Sequence, residues 1–465
     1  MPSRTPFFFR EIIFVSDPIA ADLVLDDSDA RNLDGILFHS GEPVAVLHRW
    51  RQRLREASPR GWDAVKEYAA DVMKLIAQPK ILYLAALALR SRGPKSPGRN
   101  GLRLESLCGD ELWEMSTVLG RAIATGTYRP GPERVIWIEK ASGNGERPLV
   151  LMEVQDRVVQ KAAALVLRPV FDPQFDPLSF AYRPWRKREQ AVAVAEQLAT
   201  QGHFIWLTHD IVDAYGSVSV PRLLDVFYKL LPCPRLRDFL ELVLPPQSPK
   251  LSGIKQGGPL SSLGLELYLT HFLHVPWRKA GHPVRVIRYA DDLLLTAVDE
   301  ESAKAADSAL RELLAPSGMV LKHSFDEARR DIRYRSAQWL GYRFRLHGAE
   351  LSVKLGSHAF EKLGRRFVLA HDKDHSVERA VQILKQWVAQ LGPCYRWQKH
   401  QEVCTKAILT AHAYGFEETL AEVELVERWE KANTRWEATR TLVGGMPGYL
   451  ATGPLEYPTP TSVVW

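Results

Sequence analysis

Cysteine is scarce in this chain: Cys108, Cys233, Cys394 and Cys404 are scattered through 465 residues, and no C-x-x-C pair occurs. That spacing argues against both a disulfide framework and a structural zinc site, and it makes a reducing compartment the default expectation. Long apolar runs are also missing. Phe7-Phe8-Phe9 is cut short by Arg10 and Glu11, too brief for a signal core, and no run approaches the roughly 18 residues a membrane span requires. A soluble, cytoplasmic protein with no membrane partner is expected. There is no internal repeat, no low-complexity block and no strong excess of one charge. A formal charge of +6 and a pI near 9.0 suit nucleic acid without demanding it, because net charge describes the field and not the fold. What remains is an ordinary globular composition, long enough for two to four subdomains with sizeable cores.

Against this background two carboxylate clusters stand out. Val284-Arg285-Val286-Ile287-Arg288 and Leu293-Leu294-Leu295-Thr296-Ala297-Val298 are short strand-forming runs, and Tyr289-Ala290-Asp291-Asp292 lies between them. The pattern predicts a β-hairpin with paired aspartates at its tip. Taken alone, Asp-Asp is also an ordinary solvated turn. A second run, His203-Phe204-Ile205-Trp206-Leu207-Thr208, reads as a strand that delivers Asp210. Its alternative role, capping the helix expected over Val220 to Leu231, is weakened because Asp210 sits too far before that helix. Carboxylates from separate strands are what two-metal phosphoryl transfer needs, with ions about 3.5–4 Å apart. Hard divalent cations such as Mg²⁺ take oxygen ligands of this kind.

These residues carry a resemblance. Asp210-Ile211-Val212-Asp213-Ala214-Tyr215, Lys255-Gln256-Gly257-Gly258-Pro259-Leu260-Ser261 and Tyr289-Ala290-Asp291-Asp292 resemble, in order, three palm motifs of reverse transcriptases. Arg147-Pro148-Leu149, Asp156-Arg157-Val158-Val159-Gln160 and Phe180-Ala181-Tyr182-Arg183-Pro184-Trp185-Arg186 resemble fingers motifs of the bacterial group II intron-like type. Trp339-Leu340-Gly341-Tyr342 is similar to the primer-grip hairpin. The resemblance runs from about Gly98 to Phe344. It implies an α+β right-hand polymerase with fingers, palm and helical thumb, preceded by an N-terminal extension. The expected divisions are 1–75 for the extension, 76–202 for the fingers and 203–352 for the palm, then 353–445 for the thumb and 446–465 for a tail.

The resemblance also implies roles. Asp210, Asp291 and Asp292 would be catalytic and would hold two Mg²⁺ ions, or Mn²⁺ in their place, helped by the backbone carbonyl of Ile211. Lys140, Arg147, Asp213, Ala214, Tyr215, Gln256 and Gly257 would bind the dNTP. Of these, the Tyr215 ring leaves no room for a 2′-hydroxyl, and Lys140 with Arg147 clamps the triphosphate. The family often has Phe-Asp where this chain has Gly216-Ser217, and it places a lysine, as acid for pyrophosphate release, near the position of Phe325. Arg183, Arg186, Lys187 and Arg188 with Trp185, together with Trp339, Gly341 and Tyr342, would contact nucleic acid.

Further basic runs at Arg49, Arg51, Arg53 and Arg55, and at Arg329, Arg330, Arg333 and Arg335, suggest local RNA-binding patches. The implied activity is RNA-directed DNA synthesis on an RNA template from a DNA or RNA primer. The template is expected to be a structured non-coding RNA in a free-standing antiphage defence enzyme. The alternatives are a group II intron-type maturase or other splicing helper, or a retron- or CRISPR-associated enzyme. No His-Asn-His or zinc-bearing nuclease pattern follows the thumb region, which disfavours a mobile intron protein that cuts its own target.

Overall fold

A computed structural model describes residues 43–92, 96–139, 145–184, 186–371 and 375–444. Most of the expected N-terminal extension lies outside the described residues, as do Lys140, Trp185 and the expected tail.

Strand alternation organises the centre. Four antiparallel strands pair in the order β4 (Arg285–Tyr289), β5 (Asp292–Ala297), β3 (Ile205–Asp210) and β6 (Arg329–Asp331). Because successive side chains point to opposite faces, Ile205, Leu207, Val286, Leu293 and Leu295 enter one core. Trp206, Ile287 and Leu294 enter another. The sheet is therefore buried on both faces, which explains why its strands read as near-continuous apolar runs and not as alternating ones.

The first core is closed by helices Pro79–Arg92, Val154–Phe171, Val220–Leu230, Ser261–Leu269 and Glu300–Leu314. Val154–Phe171 is buried nearly all round, as a helix at the centre of a core must be. A helix over residues 43–57 docks on it, the Trp50 indole donating to the Val166 carbonyl at 2.9 Å. Residues 43–76 therefore pack into the same core as Pro79–Arg92 and Val154–Phe171.

The second core is built from Arg188–Thr200, the sheet β7 (Ala337–Trp339), β8 (Tyr342–His347) and β9 (Glu350–Leu355), and four C-terminal helices. Those helices are Ala359–His371, Ser376–Val388, His400–Ala413 and Glu422–Gly444. The last of them turns charged residues outward and buries Leu425, Trp429, Trp436 and Val443. Arg440 on it pairs with Glu196 at 2.8 Å and so clasps the helix Arg188–Thr200. A separate hairpin, β1 (Arg134–Glu139) and β2 (Glu146–Leu151), stands against the loop before Ser261–Leu269. Among the described residues no single helix is long and apolar enough to cross a membrane.

Candidate active site

Register brings the carboxylates together. In the β3–β5 ladder Asp210 is paired directly with Asp292. In the β4–β5 hairpin Tyr289 is paired with Asp292, which leaves Ala290 and Asp291 as a two-residue turn. Ala290 adopts φ +60°, a left-handed conformation unusual for a residue with a side chain. The Ile211 amide donates to the Asp291 carbonyl at 3.2 Å and fastens the turn to the end of β3. On the other side of β3, Val212 donates to Val320 and Lys322 to Asp210, both at 2.9 Å.

Three carboxylates so placed repel one another. Burial, then the charge of Asp210, raises Asp291 above the usual carboxylate range. Burial, then Asp291 and Asp210, pushes Asp292 up to about 7, and the nearby Lys362 and Lys322 offset this only in part. The Lys322 ammonium lies 3.7 Å from Asp210, whose side chain is 38% exposed. Among the described residues no three His, Cys, Asp or Glu side chains are already drawn together into a metal-binding set. The donors are nonetheless all hard oxygens with an excess of negative charge, which is the chemistry Mg²⁺ requires.

Beyond Asp210 the chain makes a tight turn. Asp213 takes φ +44° and its carbonyl accepts from Ser217 at 2.8 Å. A Cβ at Gly216 would lie 2.1 Å from the Asp213 carboxylate, so a larger residue there requires the Asp213 side chain to swing aside. Ala214 is buried, and Tyr215 reaches out to share a hydrogen bond with the Tyr182 hydroxyl at 3.1 Å. Tyr182 itself is 46% exposed and has φ +58°.

The loop 253–258 packs beneath this turn. Ile254 donates to the Tyr215 carbonyl at 3.0 Å, and the Gln256 carbonyl accepts from Val150 in β2 at 3.0 Å. Gly257, at φ +105°, lets the β1–β2 hairpin close on the loop; a Cβ there would lie 2.7 Å from the Leu149 side chain. Lys255 is buried and paired with Glu133 at 2.8 Å. Arg147 is exposed on β2, and its charge reaches Asp291. Arg147 and Tyr215 thus lie within electrostatic reach of Asp291, and Gln256 and Gly257 pack against β2, whereas Lys140 falls outside the described residues.

The expected nucleic-acid contacts need correction. Arg183 is buried, and its guanidinium is taken up by Asp172 and by the carbonyls of Asp176 and Ser179. Trp339 and Tyr342 are core residues at 4% and 2% exposure. Arg188 lies over the Tyr342 ring and donates to its hydroxyl at 2.7 Å, while that hydroxyl donates to the Gln390 carbonyl at 2.6 Å. These residues bolt the helix Arg188–Thr200 to the hairpin and to the C-terminal helices. Arg186 is stacked on Phe180 and lowered to about 10 by burial. Lys187 and Gly341 are exposed, with Gly341 at φ +82° beside Leu340 at φ +50° in the two-residue loop of the β7–β8 hairpin.

Part of the basic runs is engaged within the protein, while Arg49, Arg55 and Arg335 are exposed. Arg51 is buried, Arg53 pairs with Asp71, Arg329 with Glu300 and Arg333 with Asp331.

Sequence reasoning missed Tyr182 as a neighbour of Tyr215. It also missed a buried pair under the hairpin, Arg288 with Glu266. The signal for the pair was present: one arginine inside an apolar strand, and one acid inside Ser261-Ser262-Leu263-Gly264-Leu265-Glu266-Leu267.

An antiparallel sheet carrying aspartates on adjacent strands, covered by helices and followed by a helical bundle, is the palm of a right-hand polymerase. Residues 138–344 match the family described as Reverse transcriptase (RNA-dependent DNA polymerase). That stretch is similar to reverse transcriptases, group II intron-encoded proteins among them. Protein YkfC of Escherichia coli (strain K12) is 31% identical over 159 residues, covering 33% of this chain and 41% of YkfC. The group II intron-encoded protein LtrA of Lactococcus lactis subsp. cremoris is 23% identical over 230 residues, 46% of this chain and 37% of LtrA. The chain thus spans less than half the length of either relative. Among solved structures, the telomerase of Candida albicans with a telomeric RNA fragment aligns with 83% of this chain and 88% of its own, at 10% identity and a TM-score of 0.35. That similarity is too slight to carry weight.

Proposed function

We propose that this protein is an RNA-directed DNA polymerase that extends a DNA or RNA primer with dNTPs along an RNA template. The observation that carries the reading is the register of Asp210 against Asp292 with Asp291 at the adjoining turn, within the segment that matches the reverse transcriptase family. Asp210, Asp291 and the Ile211 carbonyl would hold two Mg²⁺ ions, with Asp292 in support and Mn²⁺ able to substitute. When bound, such ions activate the primer hydroxyl and stabilise the departing pyrophosphate.

The chain's own residues do the rest. Arg147 and Lys140 supply fixed positive charge to the triphosphate. The Tyr215 ring, braced by Tyr182, excludes a ribose hydroxyl, and Gln256 and Gly257 offer backbone against the nascent pair. Asp213 and Ala214 shape the turn between sugar and carboxylates. Lys187 and Gly341 are exposed where a strand can pass. In the cell we propose a cytoplasmic enzyme of antiphage defence that carries a structured non-coding RNA as template; the group II intron-like resemblance is its support.

The test is primer extension on primed RNA and DNA templates with labelled dNTPs, alongside sequencing of co-purifying RNA. Asp210→Asn and Asp291→Asn should each abolish synthesis while leaving the fold intact. Wild-type rates in either variant would sink the assignment. A wild-type protein that binds RNA but synthesises nothing would favour the maturase reading instead.

A further inference from the structure

Directly beneath the Ala290–Asp291 turn lies a fully buried polar network that the chemistry described so far does not use. Arg288 and Glu266 are both 0% exposed and form a two-pronged pair, Nη1 to Oε1 and Nη2 to Oε2, each 2.9 Å. The Arg288 Nε donates to His274 Nε2 at 2.8 Å. That bond leaves the imidazole proton on Nδ1, which faces Asp176 at 3.6 Å. Burial, with the charges of Arg288, Arg278 and Arg183 behind it, holds His274 well below its ordinary pKa and keeps it neutral. The Ser179 hydroxyl donates to Glu266 at 2.8 Å.

Such a pair is an expensive way to fill space. Burying two charges costs desolvation that their attraction repays only in good geometry, and an apolar pair of similar volume packs as well. What an apolar pair lacks is a donor. Arg288 Nη1 donates a further bond, 3.1 Å long, to the carbonyl of Ala290. Ala290 is the residue held at φ +60°, and the next residue is Asp291. The backbone of Arg288 is itself gripped, its amide donating to Leu178 at 2.8 Å and its carbonyl accepting from Phe180 at 2.9 Å. The same segment continues to Tyr182, the partner of Tyr215.

We propose that Arg288 is a positioning residue for the carboxylate site: braced by Glu266, its guanidinium holds the Ala290 carbonyl and so fixes the turn that aims Asp291. The inference rests on the reading of Asp291 as a metal ligand in a polymerase.

The test compares Arg288→Met combined with Glu266→Met, which replaces the ion pair by two apolar chains, with the wild type and with Asp210→Asn. Free Mn²⁺ is followed by electron paramagnetic resonance in a direct binding titration. Primer extension gives kcat, the KM for dNTP and the half-saturating Mg²⁺ concentration, and thermal melting reports the fold.

The double variant is expected to melt cooperatively. Its Mn²⁺ affinity and kcat should fall by about 10- to 100-fold, as is usual when a group that orients a ligand is lost, with little change in KM for dNTP. A folded double variant that binds Mn²⁺ and extends primers as the wild type does overturns the proposal. Should the double variant fail to fold, Arg288→Lys decides. Lysine keeps the charge beside Glu266 but has no fork to span Glu266 and the Ala290 carbonyl, so weakened Mn²⁺ binding supports the proposal and wild-type binding overturns it. A wild-type protein that extends no primer, or an Asp210→Asn variant with undiminished Mn²⁺ binding, removes the underlying reading and this inference with it. Normal wild-type activity with indifferent Arg288 variants removes the inference alone.

Discussion

Gly253→Ala gives a sharp test of how the nucleotide pocket is held. Gly253 has φ +71°, and a Cβ there would lie 2.1 Å from the Tyr215 carbonyl oxygen and 2.7 Å from the Gly216 carbonyl. Contacts under 3.0 Å are essentially never made by a real Cβ, so loop and turn must part by at least 0.9 Å, the difference between 3.0 and 2.1. The left-handed backbone alone costs an alanine about 1–2 kcal/mol. Stretching the Ile254 amide bond to Tyr215, now 3.0 Å, forfeits about 1 kcal/mol more. The expected loss is therefore about 2–3 kcal/mol.

The functional loss should be larger in proportion, because misplacing a pocket by about 1 Å can cost about 100-fold in rate. Gly281→Ala is the control: its φ is +65°, but no atom lies within 4 Å of its Cβ position. It carries the backbone penalty without the collision and precedes β4, at the end of that strand away from the Ala290–Asp291 turn. Urea unfolding measures the first quantity, and kcat/KM for dNTP incorporation the second. If Gly253→Ala matched Gly281→Ala in both, the loop would not brace Tyr215 and the reasoning fails.

Two further outcomes are expected. Tyr215→Ala should lower the ratio of kcat/KM for a dNTP over its rNTP, because removing the ring opens the space a ribose hydroxyl needs; an unchanged ratio would make Tyr215 a packing residue only. In cation-free protein, Asp292 is pushed up to about 7 by burial and by Asp291 and Asp210, against an ordinary value near 3.8. Between those values the native state binds more protons than the unfolded one, so stability should fall as pH rises from about 4 to about 7. Melting curves across that range should flatten in Asp292→Asn, and an unaltered slope would show that Asp292 is not the group responsible.

The parts of the site legible in the sequence were those set by local pattern. A strand ending in Asp210, and two apolar runs flanking Tyr289 to Asp292, specify a strand and a hairpin without reference to anything distant. The helix expected over Val220 to Leu231 was legible for the same reason and is found at Val220–Leu230. What escaped was partnership over long separations. Arg183 and Arg188 look like Lys187 in one dimension, yet only Lys187 has an exposed side chain, because Asp172 and Tyr342 occupy the other two. The Arg288–Glu266 pair spans 22 residues, and the Tyr182–Tyr215 bond spans 33. Residue type cannot tell a buried arginine from a solvated one when the partner that decides it comes from another element.

The two-faced sheet has a consequence for how the chain is made. Helix Arg188–Thr200 and the face bearing Trp206, Ile287 and Leu294 are covered by residues that follow Ile332, the last of them in Glu422–Gly444. During synthesis the first core can close soon after β5 and Glu300–Leu314 emerge. The other face of the same strands must wait for more than a hundred further residues. A ribosome-bound intermediate therefore carries the assembled carboxylates on a sheet with one side bare, exposing apolar surface of the kind that draws chaperones or aggregates. The apolar face is thus bare for as long as the C-terminal helices are still being made.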